Sequence, residues 1–265
     1  MLEIGETIDV PGCGPLVIES IAQRNWSRVG VATGPDGRYF VKQFVDRIGR
    51  RHARGFEGDR ATLAEIGECV GGVNVVPVIG RLDERLITVS PNIEMYTVES
   101  ISGPKRRGLE PAQRIGQAMA DILTSCAIDD RSGYVRIWKG IDPKNIGWTE
   151  DGTMWVFDFG PPAEVPLDIA AARVVAAGLL SRWVAKPGRH LISPERWLVR
   201  GLCEPVAPMT SRVEVEKILQ EHHDLRQREP QRTGMQAMAI RAGLNTLGRI
   251  HWRVLRSEAA RLLPE

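Results

Sequence analysis

The chain has 265 residues, long enough for one large domain or two small lobes, each with a substantial core. Apolar residues make up 43% and charged residues 26%, a globular composition that excludes an intrinsically disordered chain. The formal charge of +2 removes the electrostatic argument for a dedicated nucleic-acid binder.

Four cysteines, Cys13, Cys69, Cys126 and Cys203, lie far apart with no CxxC pair. That spacing argues against a disulfide framework and a thiolate zinc site, and for a reducing cytoplasm. Met1 to Leu16 lacks the basic and apolar regions of a secretory signal. The richest apolar stretch, Ile169 to Val184, is interrupted by Arg173 and Arg182, so a buried helix is expected there and no membrane partner.

The first hundred residues read mostly as strands. Leu16 to Ile21, Arg28 to Ala32 and Arg38 to Val45, the last two separated by the Asp36-Gly37 turn, predict a three-strand meander. An Arg-rich segment follows, and its second half has helical spacing at Phe56, Leu63 and Ile66. Val75 to Leu82 and Arg85 to Ser90 predict two more strands around Asp83-Glu84. Gly71-Gly72 reads as a plain loop.

From Ser102 the character changes. Gly103-Pro104 and Lys105-Arg106-Arg107 mark a crossover, and Pro111 opens a helix with apolar Ile115, Met119, Ile122 and Cys126. Asn145 to Trp148 and Met154 to Phe157 flank the Asp151-Gly152 turn and predict a hairpin. Helices are expected over Asp168 to Ala185, Val213 to His223 and Met235 to Leu263. The domains expected are a β-rich lobe with one helix (1–101) and a helical lobe carrying the hairpin (102–265).

Chemistry concentrates in Trp138-Lys-Gly-Ile-Asp-Pro-Lys-Asn-Ile-Gly-Trp148 and Trp155-Val-Phe-Asp-Phe-Gly160. Asp-Pro-Lys-Asn precedes one hairpin strand and Asp-Phe-Gly ends the other, so Asn145 and Asp158 emerge on the same side. An amide oxygen and a carboxylate are hard oxygen ligands, suited to Mg²⁺ carried with nucleotide phosphates. Each is, taken alone, an ordinary turn residue.

This stretch resembles the catalytic and metal loops of protein-kinase-like phosphotransferases, especially the aminoglycoside phosphotransferase type. Asn145 and Asp158, thirteen residues apart, look like that family's metal ligands. The resemblance implies a two-lobed, kinase-like α+β fold that uses ATP and Mg²⁺. In Tyr39-Phe-Val-Lys42, it implies that Lys42 grips the α- and β-phosphates. Glu57, or Asp59, on the next helix would orient Lys42. The implied acceptor is a hydroxyl of a small molecule or peptide, with a protein partner subunit as a further prospect.

Departures from the pattern bear on activity. Gly140 stands where the family places its proton-accepting Asp, after Trp138 and Lys139, so Asp142 is the remaining acceptor-side carboxylate. The phosphate-covering loop Ala22-Gln-Arg-Asn-Trp-Ser27 has no glycine, leaving Ser27 or Arg24 to substitute. Three readings follow: a phosphotransferase using Asp142, a pseudokinase scaffold, and AMP transfer. The third draws on a similarity of Asp158-Phe-Gly-Pro161 to selenoprotein-O-type pseudokinases.

The five histidines show no metal spacing, and no GxSxG elbow is present. Arg249, Arg253 and Arg256 predict a solvated helix face. Arg47, Arg50, Arg51 and Arg54 form a second basic cluster, read as a surface loop or an anion contact. Trp138, Trp148 and Trp155 are expected to pack around the hairpin.

Overall fold

In chain order the strands are β1 (Thr7–Val10), β2 (Gly14–Gln23), β3 (Arg28–Gly34), β4 (Gly37–Gln43), β5 (Cys69–Val70), β6 (Val73–Val75), β7 (Gly80–Leu82), β8 (Ile87–Pro91), β9 (Tyr96–Thr97), β10 (Tyr134–Trp138), β11 (Ile146–Trp148), β12 (Met154–Val156) and β13 (Pro162–Pro166). The helices are α1 (Ala53–Ile66), α2 (Leu109–Ser125), α3 (Leu167–Leu180), α4 (Arg196–Cys203) and α5 (Arg212–Arg228). The structure, a computed structural model, describes residues 1–24, 26–46, 48–98, 109–138, 141–180, 196–228, 257 and 260–263. The chain divides into two units. One comprises Met1–Thr97, Arg136–Ile141 and Asn145–Ala163; the other comprises Val98–Val135, Asp142–Lys144 and Glu164–Glu265.

Strand parity decides where the first unit's core lies. Six antiparallel strands run in the order β1-β2-β3-β4-β8-β7. Along β4, Tyr39, Val41 and Gln43 are buried, while Arg38, Phe40 and Lys42 point to the opposite face. The buried set joins Ile8, Val10, Leu16, Ile18, Ala32, Ile87 and Val89 in one apolar cluster. The sheet curls until its ends touch: a Cβ on Gly80 of β7 would lie 2.5 Å from a Val10 methyl of β1. The core therefore sits inside the curl and Lys42 outside it. A small cluster of Phe44, Phe56 and Leu86 is built on residues from α1 and from beside β4 and β8.

The predicted meander is present as β2, β3 and β4. Val75 to Leu82, read as one strand, is two. Pro77 cannot donate to a ladder, and Val73–Val75 and Gly80–Leu82 enter different sheets. Gly71 and Gly72, both at positive φ, make the turn from β5 to β6.

A five-stranded sheet in the order β5-β6-β12-β11-β9 holds the β11–β12 hairpin. Here β11 and β12 pair antiparallel, while β12 pairs parallel with β6 through Trp155↔Asn74 and Val156↔Val75. That ladder places residues 145–163 in the first unit, whereas the sequence reading grouped the hairpin with residues 102–265.

The second unit is helical. α2 buries Ala112, Ile115, Met119, Ile122 and Leu123; Ile115, Met119 and Ile122 belong to the predicted stripe, whereas Cys126 lies just past the helix end and is half-buried. It packs closely on α4, where a Cβ on Gly201 would lie 2.6 Å from that of Ala112. α3 buries an Ala/Val face including Ala171, Val174 and Val175. The expected Met235 to Leu263 helix, with Arg249, Arg253 and Arg256, falls almost wholly outside the described residues, as does the Gly103 to Arg107 crossover. A β-rich unit with one main helix and a helical unit make up the α+β class expected from the sequence.

Candidate functional site

The first unit brings Lys42, Asp59 and Asp158 together. Lys42 Nζ lies 2.6 Å from Asp158 Oδ1 and 3.7 Å from Asp59 Oδ1. Its position follows from the alternation in β4, which turns Lys42 away from the core beside Val41. The ammonium also sits 4.4 Å from the Phe44 ring centroid, a favourable cation–π distance.

Asp59, not Glu57, is the helix carboxylate beside Lys42. Glu57 is exposed and pairs with Arg60 at 3.8 Å one turn along α1. Asp59 lies on the buried side with Phe56 and Thr62. The two positions are two residues apart, about 200° around a helix, so only one can face the lysine. Burial pushes the Asp59 carboxyl above the ordinary carboxylate value, against the opposing pull of Lys42 and Arg81.

The Asp158 loop is anchored through its neighbours. Phe159 is buried, its ring 5.1 Å from that of Trp138 and nearly perpendicular at 71°. Thr62 Oγ1 donates a 2.6 Å hydrogen bond to the Gly160 carbonyl, joining α1 to the loop. Gly58 permits this approach, because a Cβ there would lie 2.9 Å from three Pro161 atoms. Asp158 itself adopts φ +62°, in the left-handed region that aspartate tolerates better than most side chains.

Asn145 is buried at the end of a short 3-10 turn, Pro143–Asn145, immediately before β11. Its carbonyl accepts the Phe157 N–H at 3.0 Å, extending the β11–β12 ladder by one step. Asn145 and Asp158 thus stand at the same end of the hairpin, as the spacing predicts. Their donor chemistry fits Mg²⁺: an amide oxygen and a half-exposed carboxylate leave the remaining octahedral positions to phosphate oxygens and water.

Asp142 is held by its own loop. Oδ1 accepts the Lys144 backbone N–H at 3.0 Å, and Oδ2 pairs with Lys144 Nζ at 3.0 Å. Gly140 and Lys139 lie outside the described residues. Ser27 closes the β2–β3 turn, where its carbonyl accepts the Arg24 N–H at 2.8 Å. Lys42 is paired across the sheet with Val29, two residues beyond Ser27, so that turn lies beside the lysine's end of β4.

The sequence reading missed Thr62, Gly58 and Arg81. Periodicity marked only the apolar positions of α1, and nothing local shows that its polar side meets residues a hundred positions later.

No protein-family model matches the chain, and no curated protein matches it. Among solved structures it is similar to the PknI kinase domain of Mycobacterium tuberculosis. One double mutant of that domain aligns at 15% identity over 77% of this chain and 92% of that one, with TM-score 0.48. A second double mutant aligns at 15% identity over 83% and 98%, again at 0.48. The domain without those substitutions gives 15% identity over 77% and 92%, with TM-score 0.45.

Proposed function

We propose that the chain binds ATP with Mg²⁺ and transfers its γ-phosphoryl group to a hydroxyl of a small molecule or peptide. The observation that carries this reading is Lys42 Nζ held between Asp158 and the buried Asp59, at 2.6 and 3.7 Å. A near-buried ammonium with two carboxylates, on a face turned away from the core, is an electrostatic arrangement suited to phosphate and a divalent cation.

Lys42 would hold the α- and β-phosphates, with Asp59 fixing its ammonium. Asn145 and Asp158 would hold Mg²⁺, which supplies charge neutralisation on the phosphates when bound. Ser27 and Arg24, in the β2–β3 turn, are available to the phosphates. Asp142 would orient the acceptor hydroxyl. Transfer through a loose transition state depends chiefly on positioning and charge, so a weak base lowers the rate by about 10²–10⁴-fold rather than abolishing it.

A second reading, a nucleotide-binding scaffold working with a partner subunit, is favoured by Asp142. Lys144 engages both of its oxygens, leaving it poorly placed to take a proton.

Thermal-shift and calorimetric titration with MgATP tests binding, and Asp158→Asn is expected to remove most of the Mg²⁺-dependent part of the shift. Absence of any shift in the unaltered chain would sink the nucleotide reading altogether. Mass analysis of products then separates phosphoryl transfer, AMP transfer and binding without turnover. Phosphoryl transfer that Gly140→Asp increases would mark a weakened kinase, and a turnover rate unchanged by Asp142→Ala would remove that residue's role.

A further inference from the structure

Lys42 has a counterpart two strands away. In the register of the six-stranded sheet, Lys42 of β4 stands opposite Thr88 of β8, and Thr88 stands opposite Arg81 of β7. Directly opposed residues project from the same face, so the three side chains form one row outside the curl. The Cα atoms of its two cations are about 10 Å apart. Thr88 is buried between them.

α1 meets this row with residues one turn apart. Phe56 and Asp59, at i and i+3, share its buried side. The Arg81 guanidinium lies over the Phe56 ring, 5.5 Å from the centroid, much as Lys42 Nζ lies over the Phe44 ring at 4.4 Å. The two rings are in edge-to-face contact, 5.6 Å apart and at 82°. Each cation therefore rests on one member of an aromatic pair. Both charges hold the Asp59 carboxyl down against the upward push of burial. Their bonding differs. Lys42 reaches Asp158 and Asp59, whereas Arg81 Nη1 is sealed from solvent and has no hydrogen-bond acceptor. A buried guanidinium N–H left unmatched is a costly feature for a fold to retain.

We infer that Arg81 is a positioning residue of this site, a reserve counter-ion that holds Asp59 when Lys42 leaves it for nucleotide phosphates. The inference rests on the nucleotide reading above. In that reading Asp158 passes to Mg²⁺ as Lys42 turns to the phosphates, but Asp59 is buried and has no water to replace its lost partner. A buried carboxylate in that state would unseat α1. With Arg81 present, Asp59 turns toward Nη1, the unmatched donor gains its acceptor, and the helix keeps its place against the sheet. A guanidinium suits the task because it stays charged and its stacking on Phe56 fixes it while Lys42 moves. If Arg81 only packs on Phe56, its effects are independent of Lys42 and Asp59.

Two mutant cycles separate these roles. In the first, without nucleotide, Lys42→Met stands for the departed lysine and the urea midpoint at neutral pH is read. Lys42→Met with Arg81→Met should lower the midpoint by more than the sum of the separate drops. Adding Asp59→Asn to that pair should restore most of the loss, a result that also decides the matter where the pair fails to fold. Additive drops, or a triple variant as unstable as the pair, would overturn the inference. In the second, calorimetric titration with MgATP, Arg81→Met should weaken binding about tenfold and Arg81→Lys by less than about threefold. Once Asp59→Asn is present, Arg81→Met should have little further effect. Equal losses with Met and Lys, or an undiminished loss in the Asp59→Asn chain, would also overturn it. Failure of the unaltered chain to bind MgATP would remove the nucleotide reading, and the urea cycle alone would then decide whether Arg81 is the counter-ion of Asp59.

Discussion

Asp59 carries a buried charge whose pH dependence can be worked out. Its carboxyl is pushed up by burial, so the folded chain holds the proton more tightly than the unfolded chain does. This contribution to stability is fully present below the ordinary carboxylate value and declines as pH rises through the elevated folded value. Asp59→Asn should remove that decline, flattening Tm against pH in the mildly acidic range, which a series of thermal melts would detect. The same substitution leaves Lys42 without its helix partner, so MgATP affinity should fall even where stability does not. Lys42→Met acts in the opposite direction, stranding the buried carboxylate at a cost on the order of 1–3 kcal/mol. Urea denaturation at neutral pH measures that loss. Part of this candidate site was legible in the sequence, but only in combination. Asn145 and Asp158 were legible together, by their spacing at one end of a hairpin, and Lys42 through the resemblance that those motifs carry. The choice between Glu57 and Asp59 was not, because helix spacing gives their relative angle without saying which way α1 is rotated against the sheet.

Between elements, the fit of α1 against the Asp158 loop depends on a missing side chain. Gly58→Ala would drive a methyl to 2.9 Å from Pro161 backbone atoms, which cannot swing aside as a flexible side chain would. We expect a loss of about 1–3 kcal/mol and a displaced Asp59, read as a lowered Tm together with weakened nucleotide binding. Ala at Gly37, where no atom lies within 4 Å, is the contrasting case: φ +130° alone is strained there, so stability should suffer without any effect on the site. Trp138 supports the loop from its other side, and Trp138→Ala should cost roughly 3–5 kcal/mol by emptying the space against Phe159. The strands and helices were largely visible as alternation and three-to-four spacing. Their partners were not. The parallel ladder of β6 with β12 joins residues about eighty positions apart, and two three-residue strands give no hint of each other.

At the scale of the molecule, chain order and spatial grouping differ. The first unit takes in residues 145–163 after the chain has made an excursion through the second. A cut at residue 101, the lobe boundary suggested by composition, therefore severs β6 and β9 from β12 and β11, their partners in the five-stranded sheet. We expect the fragment 1–101 to lack a cooperative urea transition and to aggregate through its unpaired edges, whereas the whole chain unfolds cooperatively. Circular dichroism during titration distinguishes the two. Composition foretold a β-rich region followed by a helical one because amino-acid usage changes along the chain. It could not foretell the return, since strand pairing across such distances leaves no local trace. The left-handed backbone at Asp158 has one further implication. Glycine would relax that backbone but abolish its charge, asparagine would tolerate the twist while forfeiting the anion, and glutamate would keep the anion on a longer, less accommodating stem. Under the proposed Mg²⁺ role the position thus has almost no neutral neighbours in sequence space, and genetic drift there would mark a chain released from that chemistry.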